Sequence, residues 1–258
     1  MDDAIERAIE CIWERYSESL SLTQIAESAL LSRFYFARLF REATGITPGR
    51  FLAAIRIHQA KRLLLTTPMS ITEISSAVGY NSLGSFTNYF TASVGVSPGQ
   101  FRRLSRTGGF GLSSAPPDPR AGFGAVAGPI SLPAGHGSTR VYIGAFSTLI
   151  MQHPAVAAVV TDVPSDRPAC YYLPDVPEGT WFVHAVGAAD DAGLCPDDFA
   201  DRAALLGRRD SVTVTEGNVT SAAVRLRYGG PADPPVLLAL PDLTPRRSLA
   251  VATGSPAS

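Results

Sequence analysis

One half of this chain repeats itself. Offset by 50 residues, Phe36, Phe40, Gly45, Pro48, Gly49 and Phe51 fall on Phe86, Phe90, Gly95, Pro98, Gly99 and Phe101. Slightly upstream the offset is 49, and Ser21, Leu22, Thr23 and Ile25 fall on Ser70, Ile71, Thr72 and Ile74. Self-similarity fixes architecture before any single motif does: one supersecondary unit has been used twice. Each copy opens on a capping box, Ser21-x-x-Gln24 or Ser70-x-x-Glu73, in which the serine hydroxyl accepts from an orphan amide of the first turn and the Gln or Glu side chain reaches back. A short apolar face follows (Leu22, Ile25 and Ala26; Ile71, Ile74 and Val78), then a tight turn containing Gly79 in the second copy. Ser32, and Asn81 or Ser82, are candidate N-caps of a second helix, whose Phe36, Leu39 and Phe40 (Phe86, Tyr89 and Phe90) recur at i, i+3 and i+4. Gly45 and Gly95 stand where a left-handed C-cap is needed, and Thr47-Pro48 and Ser97-Pro98 put a cap residue before a proline suited to the first position of another helix. The unit reads as helix, tight turn, helix.

The flanks are helical too. Ile5, Ala8, Ile9 and Ile12 form a stripe at helical spacing, with Glu6, Glu10 and Glu14 on the other side. FLAAIRIHQAKRLLLT, from Phe51 to Thr66, is free of Pro and Gly and stops at Pro68, so it reads as a spacer helix whose Arg56, His58, Lys61 and Arg62 form a solvated face or, as the alternative, contact phosphates. Two units joined by a spacer can present their second helices to major-groove segments roughly 34 Å apart on one side of a duplex. Charge permits this without demanding it. Residues 1–106 carry 12 Lys and Arg against 9 Asp and Glu, a net of +3, whereas the rest carries 10 against 14, within an overall net charge of -1.

These residues resemble the DNA-binding region of the AraC/XylS transcription regulators. The resemblance runs from about Glu6 to Arg103. It is carried by SLTQIAESALLSRFYFARLFREATGITPGRFL, by the spacer IRIHQAKRLLL and above all by ITEISSAVGYNSLGSFTNYFTASVGVSPGQFRR. It implies a first recognition helix that begins near Ser32 and turns Arg33, Phe34, Ala37, Arg38 and Arg41 towards DNA. Arg38 is the candidate for a base edge, since a guanidinium can bond both acceptors of a guanine. Arg33 and Arg41 would meet phosphates, and Phe34 would either touch a thymine methyl or sit in the core. The second recognition helix would use Asn81, Ser82, Leu83, Ser85, Thr87 and Asn88. It departs from the family in placing Asn88 and Thr91 where relatives commonly carry cations, so the first unit should dominate specificity. Arg102 and Arg103 read either as backbone contacts or as a solvated helix end.

After Arg106 the pattern changes. Residues 107–138, rich in Gly, Pro, Ser and Ala without periodicity, read as a linker. Residues 139–243 alternate in the manner of strands, at Arg140 to Phe146, Pro154 to Thr161, Ala169 to Leu173, Thr180 to Val186, Ser211 to Thr215 and Ser221 to Tyr228. Residues 244–258 read as a loose tail. The expected architecture is therefore multidomain: an all-α tandem helix-turn-helix domain over residues 1–106, then an all-β sandwich that binds a ligand or mediates dimerisation. The phrase LPDVPEGTWFVHAVG is similar to transthyretin-like and carboxypeptidase-regulatory-like sandwiches.

No catalytic, cofactor-binding or metal-binding residues are expected. His136, His153 and His184 read as surface or satisfied histidines, the aspartates from Asp190 to Asp201 lack the spacing of a calcium loop, and Cys11, Cys170 and Cys195 have no CxxC spacing. The acidic start and the lack of a long apolar run point to a cytoplasmic protein. The reading is a regulator, not an enzyme. Its partners are double-stranded promoter DNA and, as open alternatives, RNA polymerase, a small-molecule effector and a second copy in a homodimer, with no membrane partner. The rival is an enzyme or a carbohydrate- or peptide-binding module in the β half.

Overall fold

A computed structural model of the protein describes residues 3–107, 122–188 and 204–240. The first stretch is seven helices: α1 (Asp3–Arg15), α2 (Leu22–Ser28), α3 (Arg33–Thr44), α4 (Pro48–Thr66), α5 (Ile71–Ala77), α6 (Leu83–Val94) and α7 (Pro98–Thr107). Both capping boxes form, Ser21 with Gln24 at α2 and Ser70 with Glu73 at α5. A third serine and glutamine pair, Ser97 with Gln100, does the same for α7. Gly45 and Gly95 end α3 and α6 at φ 81° and 95°, the left-handed conformation that the absence of a Cβ makes cheap.

The repeat is visible in the core. Phe36, Phe40 and Phe51 meet with centroids 5.4 Å apart at each step, and their counterparts Phe86, Phe90 and Phe101 meet at 5.7 and 5.8 Å. Tilted or edge-on aromatic geometry favours such trios beyond their buried area. All six rings are fully buried, in one cluster with Ile5, Ile9 and Ile12 of α1.

The turns of the two units differ in one residue. Leu30, 81% exposed, takes the left-handed conformation at φ 59° in the first, where Gly79 at φ 85° serves in the second. A Cβ on Gly79 would stand 2.8 Å from the Ser17 carbonyl oxygen, so only the second turn requires glycine on steric grounds.

The spacer α4 corrects an expectation. Its Arg56, His58 and Lys61 are not a solvated face. Arg56 donates to the carbonyls of Tyr16 and Glu18 at 2.8 and 2.7 Å, and His58 and Lys61 are buried. Only Arg62 of the four is exposed. α4 lies between the two units, with further chain against its remaining side, and is enclosed nearly all round. Arg102 is likewise structural: its guanidinium donates to Leu64 O and Met69 O, tying α7 to the end of α4.

The remainder is β-rich and forms two sheets. Its strands are β1 (Phe123–Ser131), β2 (Thr139–Phe146), β3 (Ala157–Val163), β4 (Ala169–Pro177), β5 (Gly179–Ala188), β6 (Ala204–Val214), β7 (Val219–Ser221), β8 (Val224–Arg225) and β9 (Arg227–Tyr228). One sheet runs β4-β1-β7 with β8 also on β1, and the other β3-β2-β5-β6-β9. A single apolar core draws Val126, Ile130 and Leu173 from the first sheet and Val141, Ile143, Val183 and Leu205 from the second.

The second part of the expected linker is not a linker. Residues 123–131 are β1, antiparallel to β4 and parallel to β7 and β8. Glycine misled the reading. A Cβ on Gly128 would stand 2.2 Å from Ala222 O, and one on Gly124 2.5 Å from Thr215 O. These glycines let neighbouring backbone approach, a recognised reason for glycine within a strand. The expected tail and the aspartates from Asp190 to Asp201 lie outside the described residues.

The two halves are in contact. The loop of residues 147–153 sends Ile150 into the helical core, and an extended strap of residues 234–240 sends Leu237. His184 of β5, buried and pushed down to about 4 chiefly by desolvation, bonds Thr148 O through Nε2 at 3.0 Å and ties this loop to the sheet. Among the described residues, no helix is long and apolar enough to cross a membrane.

Candidate nucleic-acid interface

α3 is two-faced by arithmetic. Phe36, Phe40 and Thr44 repeat at i+4 and are buried, which leaves Arg33, Phe34, Ala37, Arg38 and Arg41 to share the outer side. The structure places all five there, with Ala37 half-buried and the others exposed. Phe34 is 80% exposed and lies under the Arg33 guanidinium, 4.9 Å from its centroid, which settles it as a surface residue and not a core one. Arg38 faces Glu42 at 3.9 Å, with both side chains about two-thirds exposed. A pair that long in water contributes little, so Arg38 can leave it for a better acceptor at small cost. Arg38 also stacks over the ring of Tyr35 at 5.4 Å.

Tyr35 is the residue that sequence reasoning missed. It is 47% exposed and holds the Arg38 guanidinium from one side. The available signal was its i+3 spacing to Arg38 on a helix whose buried phase is already taken by Phe36 and Phe40.

α6 carries the corresponding face without charge. Leu83, Gly84, Thr87, Asn88 and Thr91 stand where α3 has Arg33, Phe34, Ala37, Arg38 and Arg41, and the helix contains no ionisable charge at all from Leu83 to Val94 apart from the Tyr89 hydroxyl. Asn81, Ser82, Leu83, Ser85 and Asn88 are exposed, and Thr87 is half-buried. Ser82, not Asn81, is the N-cap. Its Oγ accepts from Ser85 N at 3.1 Å and donates to Ser85 Oγ at 2.9 Å, so both serines are partly committed to each other. Leu83, 42% exposed, and Asn88 stand on the outer side of this helix. In α3 the equivalent Ser32 makes no side-chain cap bond.

Both outer faces are therefore exposed, polar and backed by rigid aromatic cores. One bears three arginines and the other none. Guanidinium groups on a helix surface suit phosphates and guanine edges, and Asn suits the N6 and N7 edge of adenine. Among the described residues no group of three or more His, Cys, Asp or Glu could hold a metal ion.

Comparison with known proteins agrees with this geometry. Residues 25–104 match the family described as a helix-turn-helix domain. An uncharacterised HTH-type transcriptional regulator, YobQ, from Bacillus subtilis is 33% identical over 95 residues, which is 37% of this chain and 39% of that protein. The melibiose operon regulatory protein of Escherichia coli K12 is 30% identical over 102 residues, 40% of this chain and 34% of that one. The chain thus spans little more than a third of these relatives. A solved structure, the C-terminal domain of the response regulator AraT from Geobacillus stearothermophilus, is 35% identical over 39% of this chain and 84% of that one, with a TM-score of 0.38. Two capped helical pairs around a common spacer, in a segment alike in sequence to such regulators, identify residues 25–104 as a helix-turn-helix domain of the AraC type.

Proposed function

We propose that this protein is a sequence-specific DNA-binding transcription regulator that reads a promoter through α3 and α6. The observation that carries the reading is the pair of exposed helix faces, each on a buried aromatic trio, within the segment that matches known regulators. We assign Arg38 to a base edge, with Tyr35 holding its guanidinium plane, and Arg33 and Arg41 to phosphates. Phe34 and Ala37 supply apolar contact, which suits a thymine methyl. On α6, Asn88 is the polar reader, with Asn81, Ser82, Leu83, Ser85 and Thr87 around it. Three cations against none make the first unit the stronger determinant.

We assign the helical half to residues 1–106, with a connecting segment after it, and read the two sheets with their shared core as a sandwich. The role is binding and not catalysis, and it places the chain in the cytoplasm with the promoter. A regulator of this kind would also meet RNA polymerase, and the β half would serve an effector or a second copy of the chain.

Selection of bound sequences from a random duplex pool with the intact chain tests the reading. It should enrich an asymmetric site, at which Arg38→Ala costs about 1 to 3 kcal/mol and relaxes one position. An unenriched pool, or an Arg38→Ala protein with unchanged preference, would count against it.

A further inference from the structure

The two left-handed glycines that end α3 and α6 are related by the repeat, and one short loop of the β half rests on both. At Gly45 a Cβ would stand 2.7 Å from Leu149 Cδ1, and at Gly95 a Cβ would stand 3.0 Å from His153 Nδ1. Leu149 and His153 are four residues apart, so at most roughly 14 Å of extended chain separates the two points of contact. The contact at α6 is also bonded: His153 N–H donates to Ser93 O at 2.8 Å.

The strap runs alongside. Leu237 N–H donates to Met151 O at 2.9 Å, joining strap to loop, and Ala239 N–H donates to Val94 O at 3.0 Å, at the last residue of α6. The Lys61 ammonium of the spacer donates to Val236 O and Leu238 O at 3.2 and 2.9 Å and lies 5.6 Å from the Phe101 centroid. Ile150 and Leu237 are completely buried among side chains of the helical half. The first unit, the second unit and the spacer are each gripped by residues 149–153 or 236–239.

We infer that Leu149, His153 and the strap residues Leu237 and Ala239 are specificity-determining residues: they clamp the two helix-turn-helix units at one separation and so fix the spacing of the two DNA segments the protein accepts. The two units already share one buried cluster and approach each other where Gly79 meets Ser17. The loop and strap add a further connection at the C-terminal ends of α3 and α6, which braces the pair at one separation. This inference rests on the DNA-binding reading, and its test separates the two.

The intact chain, its Leu237→Ala variant and its Leu149→Ala variant are compared in two measurements. The first needs no DNA: spin labels on α3 at Tyr35 and on α6 at Asn88, in a background without other accessible thiols, give the distance distribution between the units. The clamp predicts a narrow distribution in the parent and a broader one in both variants. Ala239→Pro, which removes the donor to Val94, takes the place of Leu237→Ala if that variant loses helix content. The second measurement, without labels, is affinity for the selected duplex and for the same duplex with one base pair inserted between its halves. The parent should discriminate by roughly tenfold or more, the scale of a misplaced base contact, and the variants should discriminate less. Unchanged label distances in Leu149→Ala together with Leu237→Ala or Ala239→Pro overturn the clamp, as does undiminished discrimination between the two duplexes. If the parent selects no duplex, the DNA reading fails while the label distances still decide the clamp.

Discussion

Lys61 makes the stability of this protein depend on pH in an unusual direction. It is wholly buried, and desolvation pushes its ammonium down to about 7 from an ordinary value of 10.5. Between these values the unfolded chain holds a proton that the folded chain lacks, so stability rises as pH rises through this window. Below about 7 both states are protonated and the burial penalty is present in full. Linkage over the interval from pH 7 to 9.5 gives a rise of about 3 kcal/mol. The carbonyls of Val236 and Leu238 and the Phe101 ring favour the charged form and draw the rise below that figure. Tyr80 and Tyr142 act oppositely above about pH 10: burial raises both phenols, so the unfolded chain ionises first and stability falls. The contributions of these three groups together peak between about pH 9 and 10, above the common range of about 5 to 8. Urea unfolding followed by far-UV circular dichroism at a series of pH values measures this, with Lys61→Met as the control whose rise should be absent. A parent protein whose stability is flat or falling from pH 7 to 9.5, or a Lys61→Met profile parallel to the parent's, would refute the reasoning.

Phosphate and base roles on α3 should separate by salt. Arg33→Ala or Arg41→Ala should lower the slope of log affinity against log salt by about 1, whereas Arg38→Ala should lose about 1 to 3 kcal/mol at one base pair and leave folding stability within about 0.5 kcal/mol; equal slope changes in all three would remove the assignment. Asn88→Arg should steepen the same slope by about 1 and tighten binding to duplex of any sequence, a titration in which no change would show that α6 does not reach the backbone. In the two turns, Leu30→Gly should be neutral or stabilising by up to about 1 kcal/mol, while Gly79→Ala should destabilise by more than that because of Ser17. Gly128→Val should abolish the β half's cooperative unfolding, since its side chain meets the Ala222 backbone; a soluble variant with the parent's melting curve would contradict the packing of β1.

The helical half was legible because its signals are local. Ser21 with Gln24, Ser70 with Glu73 and the glycines at 45 and 95 act within one or two turns of themselves, and the structure forms each of those caps. Periodicity also marked Phe36 and Phe40 as one apolar face, and the resemblance turned Arg33 and Arg38 outward, as the burial of the two rings requires. What stayed hidden depends on chain far away. Lys61 looks like any surface lysine until residues 236 and 238 arrive to accept from it, and β1 looks like linker until Ala222 explains Gly128. Tyr35 sat in the outward phase in plain view, but its use as a platform for Arg38 depends on rotamers that spacing does not specify.

The strap has a consequence for how the protein is made. Lys61 and Leu238 are 177 residues apart, so at synthesis rates of roughly 5 to 20 residues per second the spacer waits on the order of ten to thirty seconds for its acceptors. During that interval the two recognition helices already have all of their own sequence, while the groove that Leu237 will fill is open to water. A chain whose synthesis ends early in the β half would therefore carry its arginines without the two strap carbonyls that accept from Lys61 and without Leu237 to fill its place.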